Sequence, residues 1–205
     1  MRSPRHITLL FLLIILSVAS ALHYPKYLAE ERRKTALAAV FLGAEEPKPL
    51  GERMKSENCA IQGPLPDHAC TPGAVFSDLT LERMCVSGYT KTVRDVSTAL
   101  RRKVFQEYNI PYPQPFGSYE VDHLIPLAIG GNNDIANLFP EAAAPKPGFR
   151  EKDLVEVYLR QEVCAGRISL PLAQRKIAED WLAIYNNLSV DDIAALKAKY
   201  RSWSN

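Results

Sequence analysis

Four cysteines constrain this chain more than any other feature: Cys59, Cys70, Cys85 and Cys164. In an oxidising compartment an even count of this kind reads as two disulfides. The N-terminus supplies the compartment. Arg2 and Arg5 precede the apolar run Ile7–Val18, and Ala19-Ser20-Ala21 follows as a small-x-small triplet. A charged start, a short apolar stretch and an A-x-A end make a secretory signal peptide over residues 1–21, cleaved after Ala21. The run falls short of the roughly 20 residues that span a bilayer, so an uncleaved anchor is the weaker alternative. The mature chain is therefore expected to be secreted or periplasmic, with no stable membrane insertion after cleavage. Four cysteines permit three pairings, and the sequence does not choose among them. Zinc on the thiolates is the rival reading, but no pair has C-x-x-C spacing.

Charge argues next. The chain carries 25 Lys and Arg against 23 Asp and Glu, and the two arginines of the leader account for the whole excess. The mature protein is neutral, so any affinity for a polyanion must come from a local basic patch. A length of 205 residues without internal repeats suits one domain with appendages, expected as a monomer.

Along the chain, residues 22–57 read as an accessory helix (Tyr27–Leu42) followed by a charged linker over Glu45–Lys55 that holds Pro47, Pro49 and Gly51. Residues 58–96 are rich in Cys, Pro and Gly, with little periodicity, and are expected to pack on the core through covalent staples. Ser97 is a plausible N-cap for a helix with Leu100, Val104 and Tyr108 on one face, ended by Pro111, Pro113 and Pro115. Tyr119–Leu127 reads as a strand, Gly130–Asp134 as a tight loop, and Ala136–Phe139 as a second strand stopped by Pro140. Helices are expected from Glu151 to about Ala165, from Ser169 with the stripe Ile177, Trp181 and Tyr185, and from Ser189 through Tyr200. Ser189 and Asp192 form a capping-box pair for the last of these. The fold class is α+β, with a two-stranded unit and no βαβ alternation.

Chemistry concentrates in Tyr119-Glu120-Val121-Asp122-His123-Leu124-Ile125-Pro126-Leu127. An adjacent acid and imidazole in a strand are costly to bury without partners, and alternation sends them to opposite faces. The pair suits metal-assisted hydrolysis: a carboxylate holds a hard divalent cation while a neutral imidazole takes a proton from water. A surface Asp-His pair capping a turn is the bland alternative.

Together with the Gly-rich turn and Asn137-Leu138, this stretch resembles the HNH nuclease superfamily over about Tyr119–Glu156. The wider pattern over residues 59–182 is similar to exported bacterial HNH proteins. It includes Cys70-Thr71-Pro72-Gly73, Cys85-Val86-Ser87-Gly88-Tyr89, Lys152-Asp153 and Val163-Cys164-Ala165-Gly166. The resemblance implies a ββα-metal core within residues 97–205 and an exported endonuclease that hydrolyses DNA, or alternatively RNA, with little sequence specificity. It makes His123 the general base, Asp122 a metal ligand and Asn137 the residue that ties the loop and orients the histidine. The third HNH position lacks a histidine, since none follows His123. Asp153 is the expected replacement ligand, with Glu141 and Glu156 as competitors. The implied cofactor is one divalent ion, Mg2+ first, with Mn2+ or Zn2+ as alternatives. Arg150 and Lys152 are expected to grip nucleic-acid phosphates, with Lys146 and the Arg101–Lys103 cluster as further candidates. The competing class of function is a non-catalytic binding module of the cell envelope on the same scaffold.

Overall fold

The computed structural model describes residues 25–32, 34 and 50–203. The predicted signal peptide and residues 35–49 lie outside them. The chain divides into two units, Met1–Ala39 and Val40–Asn205. The first holds helix α1, seen at residues 25–32 and 34, which begins two residues before the predicted accessory helix.

In the second unit a five-residue strand β1 (Tyr119–His123) pairs antiparallel with β2 (Leu138–Ala142), with Val121 opposite Pro140 and His123 opposite Leu138. Both strands differ from expectation. β1 stops at His123, and the apolar run behind it, Leu124–Ile129, is a fully buried turn that includes a 3-10 segment at Leu127–Ile129. β2 runs straight through Pro140. A two-stranded sheet consists only of edges, so a residue without an N–H is tolerated there.

Helices surround this hairpin. α2 (Leu81–Met84) and α3 (Tyr89–Val93) are short turns within the Cys/Pro/Gly segment. α4 (Thr98–Glu107) starts where predicted, because the Ser97 hydroxyl accepts from Leu100 N at 3.2 Å. Its Val104 and Phe105 pack on Val121 and Leu138 of the hairpin. α5 (Phe149–Cys164) begins two residues before the expected Glu151, since the Glu151 carboxylate reaches back to Gly148 N at 3.0 Å. α6 (Leu170–Asn186) is broken at Asp180, whose backbone leaves the helix and whose carboxylate caps Ala183 N at 2.9 Å. The break leaves Ile177, Trp181 and Ile184 wholly buried, each a side chain worth about 1.5–3 kcal/mol when buried. α7 (Val190–Trp203) opens on the reciprocal Ser189–Asp192 bonds expected of a capping box. The architecture is α+β, a minimal antiparallel sheet among helices, cross-linked twice.

The pairing left open by the sequence is Cys59–Cys70 and Cys85–Cys164, with no free cysteine. The first closes a small loop. The second joins the end of α2 to the end of α5. No helix among the described residues is long and apolar enough to cross a membrane.

Residues 58–96 meet the hairpin loop through backbone hydrogen bonds as well as the expected covalent staples, and of these only Cys85–Cys164 leaves the segment. Gly73 N donates to Ala136 O, Phe76 N to Gly130 O and Asn132 N to Ala74 O, each at 2.9–3.0 Å. The loop accepts this close approach because it is glycine. A Cβ on Gly131 would lie 1.7 Å from the Ile125 carbonyl oxygen, and Gly130 takes φ +85° against Leu79.

The end of the predicted linker is not free. The Arg53 guanidinium pairs with Glu107 and donates to Cys70 O, and Lys55 meets Asp67 at 2.9 Å. Asp67 also accepts from Ala60 N and Ala69 N. Burial pushes its carboxyl up, but Lys55 and the two amides outweigh this and hold it below its ordinary value. A depressed carboxyl adds stability above its unfolded pKa and loses it as pH falls. Asp67→Asn is therefore expected to cost about 1.5–3 kcal/mol at pH 7. Denaturant titrations at stepped pH should show the difference from the parent shrinking below pH about 4, the ordinary carboxyl range.

Candidate active site

Asn137 organises the site. Its Oδ1 accepts from Ile125 N at 2.9 Å, and its Nδ2 donates to Ile125 O and Asn132 O, both at 2.9 Å. With Leu124 N on Asn137 O at 2.8 Å, one buried side chain and its backbone close the whole Leu124–Asn137 loop on itself.

His123 ends β1 and is 1% exposed. Its Nε2 lies 3.1 Å from Asn133 Oδ1. The Asn133 amide is fixed by its own donation to Val93 O at 2.7 Å, and its Oδ1 also accepts from Asp95 N. Nε2 must therefore be the donor, which leaves the lone pair on Nδ1. That nitrogen is buried and has no hydrogen-bond partner. Burial pushes the imidazole down to about pKa 4, so it is neutral at pH 7. Asn133 thus fixes the ring, and its place in the Gly-Gly-Asn-Asn loop is the one sequence signal that points to it.

Glu120 and Asp122 alternate onto the other face of β1, toward α5. Lys152 there corrects an expectation. Its side chain is 0% exposed and its ammonium donates to Asp122 Oδ2 at 2.6 Å, to Glu156 Oε1 at 2.6 Å and to the His123 carbonyl at 2.7 Å. With every N–H spent inside, Lys152 is not a phosphate-gripping group. Burial pushes the Asp122 carboxyl up, but the Lys152 charge wins and brings it down to about 2. Glu141 is 1% exposed, and neither oxygen receives a bond from any N–H donor. Burial, and then the nearby Asp122 charge, raise its pKa well above the ordinary value. Burial and the Asp122 charge also raise Glu120 to about 8, and burial raises Glu156 to about 8.

Asp153 sits in the second turn of α5. Burial and then the Asp122 charge lift it to about 6, against a hydrogen bond from the Tyr200 hydroxyl. The carboxylate at the helix start is Glu151 instead. Asp153 lines a cleft of about 500 Å3 together with Lys91, Arg94, Glu156, Arg160 and Tyr200. Asp122 and His123 do not line this cleft. Arg94 is exposed, and its charge acts to lower the Glu120 and Asp153 carboxyls. Arg150 is exposed, with its guanidinium 4.5 Å over the Phe149 ring, and Lys146 is tied to Glu151 at 3.5 Å.

The expected metal ligands do not fit a divalent ion in this arrangement. The oxygens of Asp122, Glu156 and His123 that converge on one point are already on the Lys152 ammonium. No group of three or more His, Cys, Asp or Glu side chains among the described residues is arranged to hold a metal ion. No family model, curated protein or solved structure matches this chain.

Proposed function

We propose that the chain is an exported phosphodiesterase acting on nucleic acid, built on an HNH-type ββα hairpin with His123 as the base. The observation that carries this reading is the tautomer of His123. Asn133 holds the proton on Nε2 and leaves a neutral imidazole with its lone pair on Nδ1, the state in which a histidine accepts a proton from water. Asn137 supports it by locking the loop from which Asn133 projects. Basic groups available for flanking phosphates include Lys91 and Arg94 at the cleft, Arg150 at the start of α5, and Arg102 and Lys103 on α4. Phosphate contacts of this kind position a substrate without reading its sequence. The disulfides suit an oxidising compartment and the predicted signal peptide. No step is drawn through a metal ion.

The burial of Nδ1 favours the second reading, a non-catalytic binding module on the same scaffold, because water does not reach that atom in this conformation. Incubation of the purified chain with plasmid DNA and short RNA, in Mg2+, Mn2+ or EDTA, separates the two. The parent is expected to cleave, and His123→Ala to lose about 100- to 10,000-fold in rate while retaining its melting transition. A His123→Ala variant that cuts at the parental rate removes His123 as the base. A parent that binds DNA without cutting it supports the module.

A further inference from the structure

We infer that Lys152 is the resident cation of the Asp122 site, occupying the place among two carboxylates and a carbonyl that a divalent ion would otherwise take. The three atoms it contacts, Asp122 Oδ2, Glu156 Oε1 and the His123 carbonyl oxygen, are hard oxygen donors of the kind Mg2+ and Mn2+ select. An ammonium has three N–H groups, and here all three are spent at 2.6–2.7 Å. The lysine side chain is wholly buried, so it cannot swing aside into water to admit a metal. A divalent ion placed on Asp122 Oδ2 would face that ammonium across a few ångströms of low-dielectric interior, where like charges repel far more than in water. Among the described residues, Lys152 is the one cation within salt-bridge distance of Asp122.

Two consequences follow from that geometry. Asp122 acts through Lys152 as an anchor for α5 rather than as a metal ligand. Lys152 is also a positioning residue for His123, because its bond to the His123 carbonyl fixes the backbone from which the imidazole projects. The inference shares the His123 region with the hydrolase reading but does not need cleavage, so its test reads metal occupancy alone.

The experiment is a Mn2+ titration of the purified full chain, read by paramagnetic broadening of the backbone amide signals of residues 120–124 and 152–156, with thermal melts in parallel. The parent is expected to show no preferential broadening there and no rise in melting temperature. Lys152→Met frees Asp122 and Glu156 for the ion. It is expected to gain Mn2+-dependent broadening at those signals and, at about a hundredfold excess over Kd, a melting-temperature rise of about 5–10 °C. A purely structural lysine would not produce this metal rescue. Preferential broadening in the parent that disappears in Asp122→Asn overturns the inference, and so does a folded Lys152→Met that gains nothing from Mn2+. Should Lys152→Met fail to fold with or without the ion, the comparison of parent with Asp122→Asn decides alone.

Discussion

Replacing Cys85 and Cys164 together by alanine is expected to lower the unfolding free energy by about 4–5 kcal/mol, the larger effect of the two disulfides. The two residues are 79 apart in sequence, so the cross-link removes a long loop from the conformations open to the unfolded chain. That loop contains α3, α4, the whole β-hairpin and all of α5. By the same argument Cys59→Ala with Cys70→Ala, which releases a separation of 11 residues, should cost about 3 kcal/mol. Denaturant melts of both double variants measure the ranking directly. Equal losses would show that native contacts near Cys59, rather than loop length, set the stability of that region.

Asn137→Ala is expected to cost about 3–5 kcal/mol, because it strands Ile125 N, Ile125 O and Asn132 O in a buried loop at about 1–3 kcal/mol each. The loss should be local before it is global. Hydrogen exchange at Leu124–Asn137 should rise more than exchange in α6, whose packing does not touch that amide. Asn137→Asp discriminates further. It keeps an acceptor for Ile125 N but sets a carboxylate against two carbonyl oxygens, so it should rescue little. An Asn137→Asp variant as stable as the parent would mean that the two donor bonds contribute nothing.

Much of this was open to sequence reasoning where the determinant is local. Ser97, Ser169 and the Ser189–Asp192 pair mark their helix starts within one turn of chain, and each capped as expected. Asn137 and His123 were legible as a constellation. The shorter β1 was not, because Leu124–Leu127 has the composition of a buried strand and is a buried turn only through Asn137, 12 residues away from Ile125. Lys152 was the harder case. A lysine beside an aspartate on a helix reads as solvated surface, and only Glu156 at i+4 hinted otherwise. Its decisive partner, Asp122, lies 30 residues earlier in the chain. Glu120 was readable in principle, since a strand period of two puts it on the face of Asp122.

The glycines where the Cys/Pro/Gly segment meets the hairpin loop determine how this sequence is free to drift. At position 73 the obstacle to a Cβ is the tip of Ile125, 2.8 Å away, so a smaller residue at 125 would relieve the clash and leave only the φ of +95° to oppose the change. At position 131 the obstacle is a main-chain oxygen, which no substitution elsewhere trims. In a library varied at both positions together with 125, tolerated replacements at 73 should arise only alongside a shortened side chain at 125. Position 131 should return glycine whatever its neighbours become.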